Sequence, residues 1–580
     1  MIKYLPVALL TILLFSPLQS QTTTVPLSHW VYDLLERWET KGLVDGVYDH
    51  AKPYTRSELG EYLSQALEKL AAEPERFSKL DLAWLARGKD EFAEELAMKA
   101  GAINRFDDLA GLLHLNKLRQ WIYVNNRDMI DFQREDFSLI GNPIAQLTNY
   151  QQIESDGTVA DYQIFSNGMR FRGHLGPYIG YQIAARDNSL STDGAFERQE
   201  VIEESGLPWL QRAQDGSSVD FDETASYISA EAGPFFILWG RDYNTWGSGR
   251  RSQLLLSENS PIYDQLKIAA RYGRFKLSYM IGFMEYISEE GRKSIKSTES
   301  RDSYWAGTRL DAQLGKGVQL GLAQVIKFGD RSLEAGYLNP LAFFKSLEHF
   351  YGDRDNGLIS ADLAWRIRNG IKWYGEILID DLTTSKIGTD WFGNKFGFTT
   401  GLSLVDPLNL AGVELLGEYS RVKPYVYTNT ANDVNKYKHY DTVIGHFIGP
   451  NSDDIYTRLR YQPSPRIRLE ASWERIRHGS NEVDGNGELI RNVGGDPDVA
   501  FGNGDKALRD AAFLEGVRFE RKIMGLSAAY EALSGLYLNA ALERVSGTNI
   551  ADSENLIRIG ITLNLGQRHE TPGTVRMGLR

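Results

Sequence analysis

From Gly357 to Arg368 the apolar residues Ile359, Ala361, Leu363, Trp365 and Ile367 fall on odd positions, while Ser360, Asp362, Arg366 and Arg368 fall on even ones. A two-residue period of this kind makes a strand with one apolar and one polar face. Asn369-Gly370 tolerates the positive φ angles of a type I′ hairpin turn. Beyond it Ile371, Trp373, Ile377 and Ile379 alternate with Lys372, Glu376 and Asp380. The segment reads as a long hairpin, apolar outside and charged inside or the reverse, because an antiparallel sheet over a soluble core shows the same alternation with its polar side in water.

The rest of the chain resolves that ambiguity. Residues 21–115 carry a helical period: Trp30, Leu34, Leu35 and Trp38 share one face. Thr55-Arg-Ser-Glu58 is a capping box that opens a second stripe of Leu59, Tyr62, Leu63, Ala66, Leu67 and Leu70. A third helix is expected within Phe77–Ala100. Residues 116–144 read as a linker or plug, with Leu118–Asn125 a strand or part of that plug. From Ala145 the period is two, with strands expected to start near residues 145, 163, 178, 223, 234, 264, 274, 302, 317, 357, 370, 395, 410, 453, 466, 511, 526 and 554. Short connections such as Gly233-Pro234, Gly273 and Asn369-Gly370 interleave with long ones such as 187–222, 243–263, 330–356 and 422–452. In Asp510–Val545, Met524-Gly525 competes with Ser534-Gly535 as the turn. Strict alternation of short and long connections is the signature of a closed membrane barrel, whose short turns collect at the periplasmic rim and whose loops collect at the cell surface. The expected fold is mainly β, a transmembrane antiparallel barrel of about eighteen strands over residues 145–566 with a small N-terminal periplasmic helical bundle. In that arrangement Ile467, Leu469, Ile559 and Ile561 face lipid, and Arg468, Glu470, Glu474, Arg558 and Thr562 face the lumen.

Residues 1–20 change the picture of location. Lys3 followed by the apolar run Leu5–Phe15, too short to span a bilayer, and by Ser16–Ser20 reads as a secretory signal peptide. The chain has no cysteine, so neither disulfides nor thiol chemistry enter. The formal charge is −13, becoming −13 − 1 = −14 without Lys3, which argues against a nucleic-acid partner. Acidic residues gather in Asp187–Asp222, where Asp193, Glu197, Glu200, Glu203, Glu204, Asp215 and Asp220 outnumber Arg198 and Arg212; this reads as a solvated loop, with divalent-ion bridging to an acidic polymer as the alternative. Residues 567–580 form a tail beyond the last strand.

Several inter-strand segments are too particular to be spacers: Trp246-Gly-Ser-Gly-Arg-Arg251 leading to Leu254-Leu-Leu-Ser-Glu-Asn-Ser-Pro261, Leu338-Asn-Pro340, Gly352-Asp-Arg-Asp-Asn356, Pro424-Tyr-Val-Tyr427, and Gly445-His-Phe-Ile-Gly-Pro-Asn-Ser-Asp453. Together they resemble the Wzi family of outer-membrane capsule-assembly proteins, over most of residues 145–566. The resemblance implies an eighteen-stranded outer-membrane barrel, with a periplasmic helical bundle, that binds surface capsular or exopolysaccharide without catalysis. His29-Trp30, Gly42-Leu43, Gly46, Pro53 and Thr55–Glu58 also resemble a single S-layer homology repeat, which would add peptidoglycan as a partner. The expected partners are thus polysaccharide and outer-membrane lipid, and the expected state is a monomer.

Sugar recognition uses flat aromatic faces for the rings and planar donors for hydroxyls and uronates. The candidate polysaccharide-binding residues are Trp246, Arg250, Arg251, Tyr425, Tyr427, His439, Tyr440 and Asn451. Against each stands a structural role, because tryptophan and tyrosine line both membrane interfaces of barrels whatever their function. Glu348, His349, Asp353, Arg354 and Asp355 read as a network of lumen struts. The nine histidines show no HExxH spacing, and no GxSxG elbow accompanies Glu348-His349, so no catalytic residue, metal or cofactor is expected. The alternative to the polysaccharide reading is a porin or solute channel with an open lumen.

Overall fold

The computed structural model describes residues 23–96, 123–193, 211–212, 217–287, 300–502, 507–549 and 554–565, apart from positions 126, 135, 177 and 316. The expected signal peptide, the tail, the middle of the acidic run and most of Leu118–Asn125 lie outside the described residues.

Eighteen antiparallel strands form a closed barrel. The first five are β1 (Phe137–Glu154), β2 (Val159–Leu175), β3 (Ile179–Thr192), β4 (Ser218–Ala232) and β5 (Phe235–Asp242). Next come β6 (Tyr263–Tyr272), β7 (Phe275–Ile287), β8 (Ser300–Gly315), β9 (Val318–Gly329), β10 (Asn356–Arg368), β11 (Ile371–Asp381) and β12 (Lys395–Val405). The wall is completed by β13 (Val413–Val422), β14 (Ser452–Ser464), β15 (Ile467–Ser480), β16 (Val517–Leu533), β17 (Leu536–Thr548) and β18 (Glu554–Leu563). Each strand pairs with the next, and β18 returns to β1 from Glu554↔Glu154 to Leu563↔Ala145.

The side-chain alternation settles which face is which. Ile359, Trp365, Ile367 and Ile377 of the β10–β11 hairpin are exposed on the outer wall, whereas Ser360, Asp362, Lys372, Glu376 and Asp380 are buried within. The same holds for exposed Leu469 and Ile559 against buried Glu474 and Thr562. Hydrocarbon tolerates no unpaired backbone, so an apolar exterior requires a closed ladder. Among the described residues no helix is long and apolar enough to cross a membrane.

Three details depart from the sequence reading. At the β10–β11 turn Gly370 has φ 87°, Asn369 has no positive φ, and the register shifts between Arg366 and Arg368. The turn between β16 and β17 is at Ser534-Gly535: Gly535 has φ 75°, and a Cβ there would meet Asn564 Oδ1 at 2.1 Å, while Met524 and Gly525 run on in the ladder opposite Arg544 and Glu543. Finally, β1 starts at Phe137 rather than Ala145. Ile130–Arg134, within the segment read as linker or plug, pairs with Phe137–Gly141. The seam of the barrel is therefore closed in two parts, by Ile130–Arg134 below and by β18 from Ala145 onward, and Pro143, which has no N–H to satisfy, falls in the gap between them.

Among the described residues the N-terminal region holds three α-helices, α1 (Val31–Lys41), α2 (Arg56–Ala72) and α3 (Lys79–Glu91). The Thr55/Glu58 capping box is formed, and Ser78/Asp81 makes another. Leu34, Leu35, Trp38, Leu59, Leu63 and Trp84 make one buried core. The bundle docks on the short-turn end: Gly370 N donates to Thr40 O at 2.8 Å, Arg37 bonds Asp406 at 2.6 Å, and Arg87 pairs with Glu531 at 2.6 Å. The residues that carried the S-layer likeness serve this core, with Trp30 stacked on Trp84 and His29 within 6.1 Å of the Phe92 ring.

Burial pushes the His29 imidazole down to about 3; Glu91 opposes that shift and Arg87 and Arg56 add to it. A folded pKa below the unfolded value of about 6.5 means the neutral ring stabilises the bundle fully above that pH, and the contribution is lost as pH falls toward 3. Amide exchange across α1–α3, corrected for intrinsic rates, is expected to quicken between pH 7 and about 4.5. His29→Gln should remove that part of the pH dependence; a profile identical to the parent's would show that His29 does not couple folding to pH.

Candidate functional site

Two long connections turn inward and meet in the lumen. After β5, Thr245-Trp246 pairs with Ala51-Lys52 of the N-terminal region, and Trp246 is fully buried. Gly247 has φ 137°, and a Cβ there would lie 2.5 Å from Glu376, so the close approach of chain and carboxylate needs glycine. The segment that follows brings its backbone to inward carboxylates. Arg250 N and Arg251 N donate to Glu418 at 2.6 and 3.0 Å, and Leu254 N and Leu255 N donate to Glu376. The guanidinium of Arg250 is 3.1 Å from Glu36 and pairs with Asp49; that of Arg251 is 2.7 Å from Glu474 and lies over the rings of Phe447 and Tyr456. Burial alone would push the Asp49 carboxyl up, but Arg250, Lys372 and Lys52 hold it well below its ordinary range.

From the other end, residues 423–451 descend between β13 and β14. Tyr427 and Tyr437 stack at 5.5 Å and donate to Leu254 O and Leu255 O, each at 2.7 Å. Trp305 Nε1 donates to Tyr437 Oη at 2.9 Å. Around them Leu254, Leu255, Leu256, Met280, Val325, Leu358, Leu378, Val426, Ile444 and Ile476 form a continuous buried cluster. The half of the lumen bounded by β6–β15 is thus filled by protein, and the inward charges find partners on neighbouring strands and in the N-terminal region: Arg309 bonds Asp311 and Asp362 at 2.7 Å, Asp362 also meets His50, and Arg460 reaches Asp33 at 3.1 Å.

All eight sequence-derived binding candidates lie in or beside this plug. Trp246, Tyr425, Tyr427, His439 and Asn451 are buried, with Arg250, Arg251 and Tyr440 mostly so. Tyr425 donates to Asn492 O at 2.8 Å; His439 Nδ1 accepts from Glu285 N at 3.1 Å; Tyr440 stacks on His439; Asn451 bridges Gly479 O and Leu514 N, both at 2.7 Å. Positive φ at Tyr425, Tyr427, Tyr440 and Asn451 marks the tight folding of these segments. Of the residues read as lumen struts, Glu348 and Asp355 are buried, Asp355 accepting from Arg331 at 2.6 Å and Tyr337 at 2.7 Å, whereas His349, Asp353 and Arg354 are exposed on the β9–β10 loop and not in the lumen.

At the long-loop rim the structure assembles an aromatic platform that sequence reasoning missed. Phe392 and Phe501 stack at 3.5 Å, Tyr425 meets Phe501 edge-on at 5.9 Å, and Trp391 adjoins Phe392 at 4.7 Å. Phe392 N donates to Arg509 O at 2.8 Å, tying the β11–β12 loop to the β15–β16 loop. Lys386 lies 5.6 Å from the partly buried Trp391 ring, and Arg421 stacks 3.6 Å over Phe513. Exposed Asp390, Arg509 and Asp510 border the platform. The available signal was the Trp391-Phe392 doublet in a long polar loop. Among the described residues no group of three His, Asp or Glu side chains is placed to hold a metal ion.

The family model for capsule assembly protein Wzi matches residues 149–552, well over half of the chain. The chain belongs to the Wzi capsule-assembly family. A solved structure of Wzi from Escherichia coli, described as an outer-membrane carbohydrate-binding β-barrel involved in group 1 capsule assembly, superposes with a TM-score of 0.54 at 12% identity, covering 94% of this chain and 99% of its own. OccAB1 of Acinetobacter baumannii gives 0.42 at 8% identity, over 73% of this chain and 96% of its own. OpdK of Pseudomonas aeruginosa with vanillate gives 0.41 at 10%, over 73% and 98%. No curated protein sequence matches. The Wzi family and the apolar-walled eighteen-strand barrel make this an outer-membrane protein.

Arg251→Ala would leave Glu474 without its guanidinium, a loss of about 3–5 kcal/mol for a broken buried pair. The unfolding temperature read from heat-modifiable gel mobility should fall clearly. Arg354→Ala, at an exposed pair with Glu334, should change stability by no more than about 0.5 kcal/mol; equal behaviour of the two variants would contradict the assignment of Arg251 to the plug.

Proposed function

We propose that this protein is a non-catalytic surface receptor that holds capsular or exopolysaccharide at the outer face of the outer membrane during capsule assembly or attachment. The observation that carries this reading is the plug. Ion pairs and packed aliphatic side chains occupy the bore between β6 and β15, which leaves the long-loop rim as the surface offered to a polymer outside the cell. Family membership supports the capsule context. The platform of Trp391, Phe392 and Phe501 provides aromatic faces for sugar rings, and Lys386, Arg421 and Arg509 provide cations for uronate carboxylates or hydroxyls. The bundle, in this reading, sits in the periplasm and braces the plug from below.

Trp391→Ala should weaken retention on immobilised acidic capsular polysaccharide by roughly tenfold, corresponding to about 1.4 kcal/mol, without altering heat-modifiable mobility. Undiminished retention would remove the platform from the site. The solute-channel reading is tested on the same preparation in planar bilayers: the receptor gives no large steady current, and a porin-like conductance would overturn it.

A further inference from the structure

The β9–β10 loop does not stand up from the rim; it folds down over the outside of the barrel wall. Tyr337, on this loop, is fully buried against Phe328 (5.0 Å) and Phe344 (5.8 Å), and Tyr279, an outward residue of β7, donates to its carbonyl at 2.9 Å. The outward residues Ile281, Ala306, Ile326 and Phe328 are buried beneath it.

The loop replaces the apolar surface that it covers. Leu341 is 81% exposed, Phe343 56% and Phe350 82%, and Ala335–Phe344 contains no charged residue. Leu310 and Leu322, paired across β8 and β9 and exposed on the wall, are the next outward residues after Thr308 and Gln324, which bond the loop backbone, so the apolar exterior is carried on from strand to loop.

Two polar side chains interrupt that exterior, and both serve the loop backbone. Along β8, Thr308 lies between outward Ala306 and Leu310; along β9, Gln324 lies between Ile326 and Leu322. Thr308 Oγ1 donates to Pro340 O at 3.2 Å, Gln324 Nε2 donates to Ala342 O at 2.7 Å, and Gln324 Oε1 accepts from Phe344 N at 2.9 Å. Asn339 N bonds Gly336 O, Ala342 N bonds Asn339 O, Leu341 N bonds Asn339 Oδ1, and Pro340 has no N–H. Irregular backbone survives at membrane depth where the protein itself satisfies its polar groups, and this segment is provided for in that way from the wall.

We propose that the loop tip from Leu338 to Phe344 is embedded in the outer leaflet, with Leu341 and Phe343 in contact with lipid acyl chains. The loop then anchors the rim on the β7–β10 side to the bilayer. The wall to which it is bonded already faces lipid, and the exposed side chains extend that interface.

The chain has no cysteine, so single labels are clean. Leu341→Cys, Phe350→Cys and, as a rim control, Asn486→Cys are each coupled to an environment-sensitive fluorophore in folded, heat-modifiable protein and reconstituted into phosphatidylcholine vesicles. Some vesicles carry a nitroxide high on the acyl chain. The label at Leu341 is expected to emit to the blue of the Asn486 label, to lose most of its emission to the nitroxide and to resist aqueous iodide; Asn486 should show the reverse. An iodide-quenched, nitroxide-insensitive label at Leu341 would overturn the proposal, as would efficient crosslinking between Leu341→Cys copies, which would mean that a second protein molecule covers the loop. Phe350, at the far end of the short helix Phe344–Phe350, provides an independent reading if the label at Leu341 disturbs the tip.

Discussion

Hydrocarbon cannot hydrogen-bond a peptide group, and almost every feature of this protein follows from that. The ladder must close, so the last strand returns to the first and a short added strand completes the seam where it ends. Once closed, each strand has one face for lipid and one for the interior. Polar residues that would be solvated in an open sheet are enclosed, and each enclosed charge requires a partner.

The plug answers that requirement. Inward carboxylates of Glu376 and Glu418 accept backbone N–H groups from the segment after Trp246, and Lys372, Arg309 and Arg460 are matched by Asp49, Glu39, Asp362 and Asp33. Asp49, Glu39 and Asp33, three of these four partners, come from the N-terminal region, more than three hundred positions away in sequence. The helical bundle is therefore part of the electrostatics of the barrel and not an appended module. Replacing such a pair by apolar residues is often tolerated elsewhere, but removing one member leaves the other stranded. Networks of this kind hold the plug in place against the β6–β15 side of the lumen.

The same constraint explains two polar residues on the outer wall beneath the β9–β10 loop. Thr308 and Gln324 would be costly against lipid if they had no partner; bonded to the backbone of a loop laid over them, they allow irregular chain to lie at the depth of the belt. The rim platform, by contrast, owes its form to loop–loop contacts, since Phe392 and Phe501 come from connections more than one hundred residues apart.

Local periodicity was sufficient for most of the strands, the capping box at Thr55 and the helices of the N-terminal region, because these depend on residues two to four positions apart; the strand number and the lipid face needed the alternation of short and long connections as well. Periodicity left the β16–β17 turn open between two glycines and placed the start of β1 eight residues late, at positions where only the ladder register decides. Trp246, Arg250, Tyr427 and Asn451 stood out as unusual in sequence, but unusual residues in a barrel loop look alike whether they bind a ligand or lock a plug. Burial separates the two, and burial is decided by which loops turn inward. That depends on charges and aromatic groups paired across the lumen over hundreds of residues, which no local pattern records.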